Sequence, residues 1–117
     1  MLHNHIVISN NCASHYVYDY YGMPYNHPIT SLRLGDVDWI RLLSNLSTFD
    51  FSHYQIIPDD ENLKVEYIDH NVLINYVHFK PNHDLSFIAR RNERFMKIRD
   101  KMKVLVMYEA AYNACDI

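Results

Sequence analysis

Ile6-Val7-Ile8 is an unbroken β-branched run that ends in Ser9-Asn10-Asn11, and it predicts a short buried strand. From Cys12 to Tyr21 the apolar positions recur at helical spacing, with Ala13, Tyr16, Val17 and Tyr20 on one stripe. Gly22 then supplies a left-handed stop, and Pro24 prevents continuation. A loop from Pro24 to Pro28 leads to Ile29–Leu34, read as a short strand. Gly35-Asp36 caps a second helix over Val37–Leu46, with Ile40, Leu43 and Leu46 expected on its buried face. The stretch from Ser47 to Glu61 is irregular, with a strand at Tyr54–Ile57.

Leu63–Ile68 and Val72–Phe79 alternate between apolar and polar, and Asp69-His70-Asn71 between them is a hairpin turn. A long helix follows over Asp84–Lys101, with Ile88, Phe95, Ile98 and Met102 on the buried stripe. Val104–Tyr108 reads as a last core strand, after which the chain looks cut short. Strands alternating with helices, plus one hairpin, predict an α/β fold: a mixed sheet covered by helices. The length of 117 residues fits a single domain spanning 1–117.

Composition narrows the setting. Hydrophobic residues make up 49% of the chain and charged residues 21%, which suits a globular protein rather than a disordered one. No apolar run approaches the length of a membrane span, and the N-terminus lacks the basic start of a signal peptide. Two cysteines without a framework pattern predict free thiols in a reducing, cytoplasmic setting. The net charge is −3, yet Asp84–Lys103 carries seven Lys and Arg against three acids, a local +4 that leaves −7 elsewhere. An acidic whole argues against nucleic acid as a partner.

The sharpest chemical feature is Ser9-Asn10-Asn11-Cys12, where a strand turns into a helix. Ligands gather outside the carboxyl ends of strands in open α/β sheets. A helix N-terminus favours an anion and so a thiolate. Cys12 is therefore a candidate nucleophile, with Asn10 or Asn11 as amide donors to an oxyanion and Ser9 as a binding residue. A nucleophilic cysteine needs a base, and His78, at the end of the second hairpin strand, is the best placed histidine. Arg90, Arg94, Lys97 and Lys101 form one basic stripe on the long helix, with Arg90 and Arg94 as candidate ligands for a phosphate. The same stripe is also what an ordinary solvated helix face looks like. No metal-ligand spacing, glycine-rich phosphate loop or nucleophile elbow is present, so no cofactor or metal is expected.

Several stretches together resemble a family of bacterial and viral proteins of unknown function, some labelled as exopolysaccharide-biosynthesis proteins. They are Ile8-Ser9-Asn10-Asn11-Cys12, Tyr25-Asn26-His27-Pro28, Asp38-Trp39 with Leu43-Ser44-Asn45-Leu46, Val77-His78-Phe79, and Arg90-Arg91-Asn92-Glu93-Arg94. The layout is also similar to papain-like cysteine peptidases, in which an Asn-Cys pair opens the first helix and a His follows on a later strand. That resemblance implies Cys12 as nucleophile and His78 as base. The chain departs from both patterns: family members continue past the last strand, and Cys12 is followed by Ala13-Ser14. Two functions stand. One is a cysteine-dependent hydrolase or acyl transferase acting on a peptide or other small substrate. The other is a non-catalytic or glycan-pathway protein that binds a sugar or sugar phosphate at the strand ends near Cys12.

Overall fold

A computed structural model describes residues 5–30, 32–77, 79–80 and 84–109. His78 and Cys115 lie outside the described residues. The fold is α/β, but its parallel and antiparallel pairings belong to two sheets rather than one. Strand β1 (His5–Ser9) runs parallel to β5 (Lys103–Met107), with Ile6 opposite Val104 and Ile8 opposite Val106. Strands β2 (Tyr54–Ile57), β3 (Leu63–Tyr67) and β4 (Val72–Tyr76) form an antiparallel meander. Around them lie helices α1 (Ala13–Tyr21), α2 (Asp36–Asn45) and α3 (Ser86–Ile98).

The hairpin follows its alternation. Leu63, Val65 and Tyr67 of β3 face the core together with Val72, Ile74 and Tyr76 of β4, while Lys64 and Glu66 point the other way. Between the two strands, a single 3-10 turn at Ile68–His70 ends in Asn71 with φ 54°, a left-handed conformation that asparagine tolerates. The expected strand at Ile29–Leu34 contributes only one bridge: Arg33 and Asn75 exchange backbone hydrogen bonds of 2.7 and 3.2 Å. Ile29, Thr30, Leu32 and Leu34 are instead buried in the connector, with Ile29 and Leu32 in the core, and Arg33 is exposed.

Helix α1 shows a different face from the one its periodicity suggests, and α2 departs from its expected face at one position. In α1 the buried residues are Ser14 and Tyr18, and Tyr20 is 82% exposed. Tyrosines occur all around this helix, and a phenol tolerates solvent, so spacing alone does not choose the face. What selects it is the Tyr18 hydroxyl, which accepts the Val7 N–H at 3.0 Å. In α2, Leu43 packs partly against the core and Leu46 at the C-cap is buried, as expected, but Ile40 is 62% exposed and Trp39 and Leu42 are buried in its place. Asp38 accepts the Leu73 N–H at 3.0 Å, which fixes the rotation of α2 against β4. Helix α3 buries Phe87, Ile88 and Phe95 and leaves Arg90, Arg94 and Lys97 exposed, as its stripe predicts.

Strand β5 departs furthest from expectation. Its apolar sequence predicts a core strand, yet all five residues are exposed. It pairs with β1 along one edge, and no described helix packs on it as α1 packs on β1. The other edge of β1 is closed by side chains instead of a strand. Beyond the bond from Val7 to Tyr18, the Val7 carbonyl accepts His27 Nε2–H at 2.8 Å and the His5 carbonyl accepts Asn26 Nδ2–H at 2.8 Å. Tyr18 Oη in turn donates to Asn26 Oδ1 at 2.5 Å.

Candidate functional site at the carboxyl ends of the parallel strands

Because β1 and β5 run parallel, their carboxyl ends open at one edge, where α/β sheets commonly receive ligands. Ser9-Asn10-Asn11-Cys12 leaves one strand there and Tyr108-Glu109 leaves the other.

Much of the polar capacity of the first segment serves the local backbone. Ser9 Oγ accepts Ser14 N–H at 3.0 Å and donates to the Asn11 carbonyl at 2.6 Å. Asn11 Oδ1 accepts Ala13 N–H at 2.9 Å, capping the first turn of α1. Asn10 reaches across to β5: Nδ2 donates to the Glu109 carbonyl at 2.8 Å, and Oδ1 accepts Glu109 N–H at 3.1 Å. Its amide thus imitates a backbone unit and adds one rung to the parallel ladder. Of the two amides considered as oxyanion donors, Asn10 is committed to Glu109. Among the described residues, buried Asn11 Nδ2 has no hydrogen-bond partner, nor has Ser14 Oγ.

Cys12 stands at the N-cap of α1, as the sequence places it. It is fully buried and disulfide-bonded, in contrast to the free thiol expected. Its Sγ lies 3.7 Å from the Leu32 carbonyl oxygen. A bonded sulfur has no hydrogen to donate, so this is a packing contact. A thiolate nucleophile requires a reduced, reachable sulfur. The helix N-terminus supplies the favourable field, but the fold shields the atom.

Arg90 and Arg94 are on α3. Arg90 donates to Ser86 Oγ at 2.6 Å, and Arg94 donates to the Tyr25 carbonyl at 2.8 Å. Tyr25 adjoins Asn26, which holds the first residue of β1. Arg94 therefore sits towards the amino end of β1, away from Ser9 and Asn10, and Arg90 bonds within its own helix. Ser9, Asn10, Asn11 and Cys12 are brought together, and the arginines are not part of that group.

The strand ends do carry a concavity that the sequence reading did not assemble. Asp36, Trp39 and Ile40 of α2 and Tyr108 just past β5 line an open hollow of about 340 Å³. The Trp39 and Tyr108 rings lie 6.4 Å apart and 26° from parallel. Tyr108 donates its hydroxyl to Asp36 Oδ1 at 3.0 Å, and that bond raises the phenol above its ordinary pKa. Leu34, two residues before Asp36, donates its N–H to the Asn10 carbonyl at 3.0 Å, which ties the hollow to the end of β1. The available signal was positional: Tyr108 is the first residue after a parallel strand.

Among the described residues, no group of three or more His, Cys, Asp or Glu could hold a metal ion, and no helix is long and apolar enough to cross a membrane. Residues 2–115 match the family described as a domain of unknown function, DUF1919, a description that speaks of neither exopolysaccharide nor peptidase. No curated protein matches the chain significantly.

Proposed function

Since the chain belongs to the DUF1919 family, a domain of unknown function, we propose from its geometry that it is a non-catalytic, glycan-pathway protein that binds a sugar at the carboxyl ends of β1 and β5. The observation that carries this reading is the hollow lined by Trp39, Tyr108, Ile40 and Asp36. A pyranose has one apolar C–H face and a rim of hydroxyls. Small-molecule sites are mostly apolar and carry a few placed polar groups. Here the two rings and Ile40 supply the apolar wall, and the Asp36 carboxylate supplies an acceptor for hydroxyls. A carboxylate in the wall repels phosphate, so the sugar bound there is uncharged at the contacting ring. A hydrolase built on Cys12 would need that sulfur reduced and exposed, whereas it is bonded and buried.

Trp39 is the sole tryptophan, so its fluorescence reports on the hollow directly. Titration with a panel of neutral mono- and oligosaccharides is expected to give a saturable change for at least one member, lost in Tyr108→Ala. If no sugar perturbs Trp39, or if Tyr108→Ala binds as the parent does, the proposal falls.

A further inference from the structure

We infer that Arg90, Arg91 and Arg94 together seat a phosphate group, at a place distinct from the hollow. The central residue is Arg91, which lies outside the basic stripe of Arg90, Arg94, Lys97 and Lys101. Its guanidinium lies 4.5 Å from the centroid of the Tyr25 ring and 4.9 Å from that of Phe87. One nitrogen donates to Thr30 Oγ1 at 2.7 Å. Two aromatic rings and one hydroxyl thus hold the planar group in a single orientation and shield it from part of the solvent.

Guanidinium groups drawn out of water are normally matched by an acid. None of these three arginines has a carboxylate within ion-pair distance among the described residues, where the pairs are His53–Asp69, Lys64–Asp59 and Lys97–Glu93. Asp84 approaches Arg90 only through Ser86 Oγ, and Asp19 accepts the Tyr25 hydroxyl at 3.0 Å. The charges that do act on Arg91 include those of Arg90 and Arg94, which oppose its own.

Among the described residues no carboxylate pairs directly with any of the three, and Arg90 meets Asp84 only through Ser86, so a bound anion would offset their like charges. Among the described residues each guanidinium uses one hydrogen bond: Arg90 to Ser86, Arg91 to Thr30, Arg94 to the Tyr25 carbonyl. Each carries five donors, so the rest of each fork remains for a ligand. Planar forks match the oxygens of phosphate in pairs. The ligand class is therefore inorganic phosphate or a phosphate monoester, and the second includes a sugar phosphate.

The test is a titration of the full chain followed by NMR, with inorganic phosphate and a hexose phosphate as probes and sodium chloride at matched ionic strength as the reference. Phosphate is expected to shift the Arg91 Nε and Thr30 amide signals saturably, where chloride does not. Arg90→Ala/Arg94→Ala, which changes two exposed side chains, should weaken binding roughly tenfold or more. Arg91→Lys keeps the charge but loses the fork and the ring stacking, and should weaken it too. If that variant fails to fold, the double variant decides. Tighter binding of one probe identifies free phosphate or the ester as the ligand, and either supports the site. No saturable shift with either probe, or a double variant that binds as the parent does, overturns it.

Discussion

His27 donates Nε2–H to the Val7 carbonyl at 2.8 Å while its Nδ1 accepts the Ile29 N–H at 3.0 Å. Both ring nitrogens are committed, one as donor and one as acceptor, so the fold requires the neutral imidazole with its proton on Nε2. Burial lowers the pKa from 6.5 to about 4, with the Arg91 charge adding to the effect.

A pH dependence follows. The folded-state pKa lies below the unfolded one, so the unfolded chain takes up a proton first as the pH falls. The stabilisation is fully present above about 6.5 and is lost as the pH falls towards about 4. The loss is on the order of 3 kcal/mol. Urea unfolding between about pH 7.5 and about pH 4 should show this decline, and the His27 ring signals should keep the Nε2–H tautomer at about pH 5. An imidazole that titrates near its ordinary value would refute the assignment.

Asn10 gives a second prediction. Asn10→Ala removes both bonds to Glu109, and Asn10→Asp keeps an acceptor for the Glu109 N–H but sets a carboxylate against the Glu109 carbonyl. Each variant should lose about 1–3 kcal/mol. The Glu109 amide should exchange faster with solvent in Asn10→Ala, and urea titration gives the stability change. Unchanged exchange at Glu109 would show that the amide does not hold the end of β5.

The third concerns Cys12. Because the sulfur is buried and disulfide-bonded, iodoacetamide should leave Cys12 unmodified in the native protein, and also in the unfolded protein without reductant. Modification should follow once reductant and denaturant are both present. Mass spectrometry of the Cys12 peptide reads the result, and labelling without reductant would restore the thiol reading.

The parts of the fold legible in the sequence are those where one local pattern decides the outcome. Alternation places Val65 opposite Ile74 in the hairpin, and the apolar stripe of α3 predicts the burial of Ile88 and Phe95. The buried faces of α1 and α2 go with long-range bonds such as those from Val7 to Tyr18 and from Leu73 to Asp38, which periodicity does not record. Strand β5 is apolar in sequence, yet burial depends on what packs against a strand. The position of Ser9–Cys12 at a strand end follows from the strand-to-helix switch. The hollow could not be assembled in the same way, because it joins Asp36, Trp39 and Ile40 to Tyr108 from the other end of the chain.

The side chains along the outer edge of β1 also give the parallel sheet a direction. Tyr18, Asn26 and His27 occupy the backbone groups that an incoming strand would need, so that margin is sealed against edge-to-edge association without a covering strand. Among the described residues no strand lies on the side of β5 turned away from β1, so the two-stranded unit can widen on that flank and not on the other.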